Sequence, residues 1–117
     1  MRYALLIYGN LDDLGRLTED EARELNAGFA DVVARPDVSG NLRLRMPDQA
    51  TTLRHEGDRP LTTDGPFVDS KDFLGGIIFV DADSLEGARV VAAEIQDRRL
   101  AAGVEIRPVN EEELVRA

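Results

Sequence analysis

The sequence predicts an α+β fold of the ferredoxin-like class, βαββαβ, with an inserted β-hairpin. The predicted elements follow the order strand, helix, strand, hairpin, strand, helix, strand, which is the order of that class apart from the hairpin. Two helices cover only one face of such a sheet. Because the strands Arg2–Gly9 and Gly76–Val80 are apolar on both faces, the second face needs a cover, and a homodimer with sheet against sheet supplies it.

The first strand and the first helix are the clearest elements. Arg2–Gly9 has apolar residues at consecutive positions, as in a strand buried on two sides. Leu11–Leu17 is expected to be a loop. Thr18 then begins a helix, because the spacing from Thr18 to Glu21 is that of a capping box and acidic residues follow at once. Apolar residues recur at helical spacing up to Pro36, which ends the helix.

A short strand and a hairpin come next. Asn41–Met46 alternates between apolar residues on one side and arginines on the other, which predicts a strand with one solvated face. Thr51–His55 and Arg59–Thr63 flank the turn at residues 56–58 and read as a β-hairpin.

The last third repeats the pattern of strand, helix and strand. Gly76–Val80 is apolar on both faces, and Ser84 is the predicted N-cap of a second helix. Ala102-Gly103 is the expected end of that helix, and Val104–Val109 is the last strand. Asn110–Ala117 is predicted to be an acidic tail with helical character.

Composition limits the classes of function. The 117 residues are expected to form a single domain, residues 1–117, and the formal charge of −9 disfavours nucleic acid and anionic membranes as partners. The chain has no cysteine and no long apolar run, so we expect a cytoplasmic protein without disulfides or thiol chemistry. Lys71 is the single lysine beside 13 arginines, a bias that suggests a GC-rich bacterial genome. We expect no cofactor. We also expect no metal, because the spacing of Asp64, Asp69 and Asp72 matches no ion-binding loop.

The most specific stretch runs from Thr63 to Gly76 and contains Asp64-Gly65-Pro66-Phe67. Glycine allows unusual φ angles and proline fixes φ, so this is a rigid turn. With this block (DGPFVDSKDFLGG), the opening RYALLIYG, the strand GIIFV, the segment DSLEGA and the ending VEIRPV, the chain resembles the YCII-related family, in particular its DGPF-domain branch.

The resemblance covers nearly the whole chain and implies a dimeric α/β barrel with ligand clefts near the subunit interface. Some relatives look like enzymes with a His–Asp dyad, one being a dehydrochlorinase of aromatic degradation. In those relatives the histidine lies on or just after the first helix, where this chain has none; its only histidine is His55.

Asp64 and His55 are the candidate catalytic residues. Asp64 either caps its own turn or acts as a general base or ligand anchor. His55 has the intrinsic pKa for proton transfer near neutrality, although a lone histidine on a hairpin is more often polar surface. If the hairpin folds over the cleft, the two side chains could approach each other.

The remaining candidates are ligand-binding residues. Arginines on the strands either bridge to carboxylates or point into a cleft lined by Tyr3, Tyr8 and Phe67, where they would suit a carboxylate or enolate. Lys71 either lies in a salt-bridged surface patch or supplies a compact ammonium group to the site. The candidate ligand-binding residues are Tyr8, Arg43, Arg45, Phe67, Lys71 and Arg107.

Two functions follow. The first is a small-molecule enzyme or binding protein that takes an aromatic or acidic molecule in a cleft near the dimer interface, with Asp64 as its main polar group. The alternative is a non-enzymatic regulatory or accessory module that acts through protein contacts. A deep, partly apolar cavity where Asp64 and an arginine converge would favour the first function.

Overall fold

The computed structural model describes residues 1–111, which form a mixed α/β fold with antiparallel sheets and three helices. In chain order the elements are β1 (Arg2–Asn10), α1 (Leu11–Gly15), α2 (Glu19–Val33), β2 (Val38–Arg43), a 3-10 turn (Pro47–Gln49), β3 (Thr51–Glu56), β4 (Arg59–Asp64), β5 (Asp72–Asp81), α3 (Leu85–Asp97) and β6 (Gly103–Pro108). Four strands form one sheet in the order β2-β5-β1-β6, and β3 and β4 form a separate two-stranded sheet. All paired strands are antiparallel.

The hydrophobic core lies between one face of the four-stranded sheet and the helices. Alternate residues of β1 and β5 point to this face, and α3 covers it with a stripe at helical spacing. Leu5, Val91 and Ile95 are fully buried. Complete burial of such a side chain stabilises the fold by about 1.5–3 kcal/mol. We call the side of the four-stranded sheet that packs against the helices the helix face, and the opposite side the open face.

Helix α2 begins as the sequence predicts. The Thr18 hydroxyl accepts a hydrogen bond from the Glu21 amide at 3.1 Å, and the Glu21 carboxylate accepts one from the Thr18 amide at 3.0 Å. The predicted capping box is therefore confirmed. These hydrogen bonds from Thr18 hold the pKa of Glu21 below its usual value.

The far end of α2 is tied to α3 through a half-buried arginine. Arg35 donates to both carboxylate oxygens of Asp37, at 3.0 and 3.1 Å, and to Glu94 of α3 at 3.0 Å. The hydrogen bond from Arg35 is the largest cause of the lowered pKa of Asp37. The pKa of Arg35 is raised mainly by the same contact.

Several element boundaries differ from the sequence prediction. The expected loop after β1 contains α1, because the Asn10 side chain accepts a hydrogen bond from the Asp13 amide and caps a short helix. β2 begins at Val38 rather than Asn41, since Val38 pairs with Val80 of β5. β5 begins at Asp72, so the double glycine lies inside the strand.

The second helix also ends earlier than predicted. α3 ends at Asp97, and the left-handed residue that follows it is Arg99, with φ of 55°, instead of the predicted glycine. Ser84 is its N-cap residue, as predicted, although its side chain makes no capping hydrogen bond. The predicted tail falls largely on residues 112–117, outside the described residues.

The molecule is flat. Its principal extents are 47 × 43 × 17 Å, and its Cα radius of gyration is 16.3 Å. A compact domain of this length would have a radius of gyration of about 13 Å. None of the helices within residues 1–111 is both long and apolar enough to span a bilayer.

Candidate functional site

An apolar cavity of about 490 Å³ lies between α2 and the helix face of the sheet; we call it the helix-side cavity. It exists because α2 buries only Gly28 and Val32, while Leu25 and Phe29 of its apolar stripe remain partly open. The residues of α2 that line the cavity are Leu25, Asn26, Phe29, Ala30 and Val33, and the helix face of the sheet contributes among others Ile7, Asn41, Gly76 and Ile78. α1 adds Leu14 to the wall.

Arg43 is the cation of this cavity. Its guanidinium lies over the Phe29 ring, 5.7 Å from the centroid, and it donates to the Asn26 side chain at 3.1 Å. Within residues 1–111 it forms no ion pair with a carboxylate, although the chain is strongly acidic. An arginine held by an aromatic ring and a neutral amide keeps its full positive charge available.

A second cavity of about 680 Å³ lies where the open face of the sheet meets the DGPF block; we call it the loop-side cavity. Tyr8, Leu44 and Leu74 form its floor. Arg45 is its cationic group. Arg45 donates to the Gln49 side chain at 3.4 Å and has no carboxylate partner within the described residues. The rest of the lining comes from the 3-10 turn and the DGPF block: Pro47, Gln49, Ala50, Pro66, Val68, Ser70 and Asp72.

The two cavities share part of their walls. Tyr8, Leu44, Met46 and Phe73 line both of them. The Phe73 ring lies directly over Gly9, where a Cβ atom would stand 2.8 Å from the ring carbon Cζ. A β-bulge in β5 opposite Ile7/Tyr8 shifts the register beside this ring. Bulges of this kind re-aim side chains and are common next to functional sites.

The DGPF turn is held through its backbone. Gly65 has φ of 114°, in agreement with the predicted need for glycine. Its amide donates to the Ala50 carbonyl at 2.8 Å, and its carbonyl accepts from the Thr52 hydroxyl at 2.8 Å. The Asp64 carboxylate makes no hydrogen bond or ion pair within residues 1–111 and lines neither cavity. The expected convergence of Asp64 with an arginine in one cavity does not occur among residues 1–111.

His55 and Asp64 lie at opposite ends of the hairpin formed by β3 and β4. His55 pairs with Pro60 near the tip, whereas Asp64 pairs with Thr51 at the base. These pairs are four positions apart along β3, a distance of about 13 Å. Within a single chain, the hypothesis that the two side chains approach each other is therefore wrong, because the hairpin register fixes their separation.

Phe67 and Lys71 are engaged on the surface of the molecule. The Phe67 ring is stacked by Arg54, whose guanidinium carbon lies 4.0 Å from the ring centroid. Lys71 forms a 2.7 Å ion pair with Asp12, and its carbonyl accepts from the Leu11 amide, so it fastens the DGPF block to α1. Neither Phe67 nor Lys71 lines either cavity.

A polar row crosses the edge of the open face. The Tyr8 hydroxyl donates to Glu105 at 3.2 Å, and Arg107 donates to the same carboxylate at 2.9 Å. Burial raises the pKa of Tyr8, and the hydrogen bond to Glu105 raises it further. The hydrogen bond from Arg107 is the main cause of the lowered pKa of Glu105. Tyr3, in contrast, lies in the core on the opposite face, so the expected cleft containing Tyr3, Tyr8 and Phe67 does not form.

Sequence reasoning missed the residues that shape the cavities. Phe29 belongs to the apolar stripe of α2, and nothing in its helical spacing shows that it faces an open space. The position of the Phe73 ring over Gly9 follows from the pairing of β5 with β1, which the sequence does not show. The sequence gives no sign of the role of Glu105, because it depends on hydrogen bonds from Tyr8 on the neighbouring strand and from Arg107 on the same strand.

These observations define the class of the protein: an α/β protein with an antiparallel sheet and an apolar cavity under its longest helix. A model of the YCII-related domain matches residues 1–113, and the chain belongs to the YCII-related family. A curated relative, an uncharacterized protein of Rhizobium meliloti (strain 1021), is 28% identical over 114 residues, which cover 93% of this chain and 92% of the relative.

Among solved structures, the chain is similar to the 5-chloro-2-hydroxyhydroquinone dehydrochlorinase of Burkholderia phenoliruptrix AC1100 in complex with 2,5-dihydroxybenzoquinone. The identity is 14%, the alignment covers 94% of each chain, and the TM-score is 0.47. Similarity of this degree gives no information about the ligand or the reaction of this chain.

Proposed function

We propose that this YCII-related protein binds a small molecule with an aromatic or otherwise apolar body in the helix-side cavity. The observation that carries the proposal is an apolar space of about 490 Å³ with Arg43 in its lining. That volume lies within the range of about 300–1,000 Å³ typical of small-molecule sites. Such sites combine apolar walls with a few placed polar groups, as this cavity does with Arg43 and Asn26.

An occupant of this cavity would stabilise the fold. Leu25 and Phe29 lie on the apolar face of α2 but lack the close packing that their position normally provides. A ligand that fills the space restores those contacts, and it binds the folded chain only. At a hundredfold excess over Kd, the free energy of unfolding would rise by about 2.7 kcal/mol.

Arg43 adds a preference for electron-rich or acidic molecules. Its guanidinium already lies over one aromatic ring, and its charge has no carboxylate partner within residues 1–111. A second ring or a carboxylate next to it would gain a cation–π contact or a charge-assisted hydrogen bond. The binding proposal needs neither Asp64 nor His55, which lie outside the cavity.

The proposal includes a ferredoxin-like arrangement with an inserted hairpin, membership of the DGPF-domain branch, and a homodimer. Support for the dimer comes from the open face, where the paired residues Leu6, Ile77 and Leu42 form an apolar row that no helix of residues 1–111 covers. A second sheet would cover this row and thicken a molecule that is only 17 Å deep. The loop-side cavity opens on this face, so it would lie near the dimer interface.

The test uses N-phenyl-1-naphthylamine, a neutral aromatic dye whose fluorescence rises in apolar surroundings. Leu25→Trp places an indole ring in the cavity. It should weaken dye binding about tenfold or more, because the indole and the dye would compete for the same space and overpacking is costly. Ala27→Trp is the matched control, because Ala27 is an exposed residue of the same helix and lines neither cavity. Wild-type protein that binds no dye, or equal binding by all three proteins, would contradict the proposal.

The alternative, an accessory module that acts through protein contacts, is favoured by one observation. Leu53 on the hairpin and Phe67 and Val68 in the DGPF block are 72%, 65% and 68% exposed. Contiguous exposed apolar side chains mark interaction surfaces, and Phe67 and Val68 are adjacent in the chain. Leu53→Ser and Phe67→Ser should leave dye binding unchanged, so the two functions are separable by experiment.

A further inference from the structure

We propose that the helix-side and loop-side cavities form one bipartite site for an aromatic acid with a single negative charge, and that Arg45 binds the acid group. This inference rests on the proposed function, because the aromatic body of the same ligand occupies the helix-side cavity. It adds a second compartment, the charge of the ligand, and the residue that recognises that charge.

The two cavities are neighbours that meet beside the residues following β2. Leu44, Met46 and Phe73 line both cavities, and Leu44 and Met46 are 49% and 39% exposed. Methionine is unbranched and adapts readily to the shape of a ligand. A molecule whose ring lies under α2 can therefore extend past Met46 into the loop-side cavity, with a modest side-chain rearrangement.

Arg45 is better placed than Arg43 to bind the acid group. Arg43 already donates to Asn26 at 3.1 Å and lies over the Phe29 ring, so its contacts serve the cavity wall. Arg45 makes one long hydrogen bond, 3.4 Å, to Gln49. Its remaining donors have no protein acceptor within residues 1–111, and a carboxylate or sulfonate accepts two parallel hydrogen bonds from such a group.

The charge of the ligand follows from the ionisable groups of the loop-side cavity. Arg45 and Asp72 are its charged residues, and Tyr8 is its phenol. The Asp72 carboxylate accepts a hydrogen bond from the Asn10 side chain at 3.0 Å, and the Tyr8 hydroxyl donates to Glu105. One arginine compensates one negative charge, whereas the carboxylate of Asp72 would repel the second charge of a phosphate dianion.

The experiment compares two dyes with the same aromatic body. N-phenyl-1-naphthylamine is neutral, and 1-anilinonaphthalene-8-sulfonate carries one sulfonate. Arg45→Gln should weaken binding of the sulfonate about five- to tenfold and change binding of the neutral dye less than about twofold, because only a charge-assisted hydrogen bond is lost. The loss should shrink at high salt.

Arg59→Gln is the matched control. It changes the net charge equally, and Arg59 lies in the hairpin, lines neither cavity and has no ion pair within residues 1–111. Ala50→Leu is the second variant: it fills the loop-side cavity without removing a charge, and it should also weaken the sulfonate selectively. Thermal melts of each variant confirm that it is folded.

The outcomes separate this inference from the proposed function. If wild-type protein binds neither dye, the proposed function itself fails. If it binds the neutral dye but Arg45→Gln leaves sulfonate affinity unchanged, weakens both dyes equally, or matches Arg59→Gln, the bipartite site is wrong and the helix-side cavity stands. Selective loss in both Arg45→Gln and Ala50→Leu supports the bipartite site.

Discussion

Gly9→Ala tests the close contact that shapes both cavities. The added Cβ atom would stand 2.8 Å from Cζ and 3.2 Å from Cε1 of Phe73, whereas ordinary contacts begin at 3.4 Å. The ring must therefore retreat by at least 3.4 − 2.8 = 0.6 Å. Overpacking costs about 1–3 kcal/mol, and the half-buried ring of Phe73 has room to move, so we expect a loss of about 1 kcal/mol.

Two measurements check this expectation. The melting temperature of Gly9→Ala should fall by about 4 °C. Binding of N-phenyl-1-naphthylamine should weaken about two- to fivefold, because the displaced ring enters the space that the ligand uses. Gly15→Ala is the control, since a Cβ atom there meets nothing within 4 Å, and it should be neutral or slightly stabilising.

A double variant tests whether the effect of Gly9→Ala comes from its contact with Phe73. Phe73→Leu removes the ring that the new methyl group meets, so Gly9→Ala combined with Phe73→Leu should be more stable than the sum of the two single changes predicts. The expected coupling is about 1 kcal/mol. Strictly additive effects, or a Gly9→Ala protein with wild-type stability and dye affinity, would show that the contact does not position Phe73.

Three further expectations concern contacts that hold the scaffold. Thr18→Ala removes the N-cap of α2 and should lower the free energy of unfolding by about 1 kcal/mol in urea denaturation, whereas Thr18→Ser should restore most of it. Asp37→Asn should cost about 1 kcal/mol at neutral pH, because the pKa of Asp37 is lowered by Arg35 in the folded state. That contribution is present above the pKa of the unfolded chain and is lost as the pH falls below about 4, so melting temperatures that stayed equally far apart in acid would contradict it. Lys71→Arg should preserve the ion pair with Asp12 and leave stability and dye binding within error, because both side chains are largely exposed; a strong loss of binding would show that the ammonium serves the ligand.

The sequence by itself determined the local structure wherever one chemical signal dominated. Thr18 and Glu21 specified the start of α2 because their hydrogen bonds connect residues three apart and need no other part of the chain. Gly65 was predictable in the same way, since its φ of 114° excludes most side chains. The apolar runs of β1 and β5 identified the two central strands of the sheet.

Strand boundaries depended on pairing instead. β2 begins three residues earlier than its alternation suggests because Val38 finds a partner in β5, and polar residues join a strand when its neighbour supplies the hydrogen bonds. Likewise Asn10 ends β1 and caps α1 at once, which converted a predicted loop into a short helix. The start of β2 was decided by a distant partner strand, whereas α1 was decided by a local hydrogen bond that the sequence prediction did not include.

Only the tertiary structure decided where the candidate site lies. The sequence patterns predict a site at Asp64 with His55 close to it, but the hairpin register keeps these residues about 13 Å apart. Arg43 and Arg45 alternate on one predicted strand, yet they line different cavities because β2 ends between them. A cavity is a space that packed elements leave between them, so it depends on how far α2 stands from the sheet, a distance that no periodicity in the chain encodes.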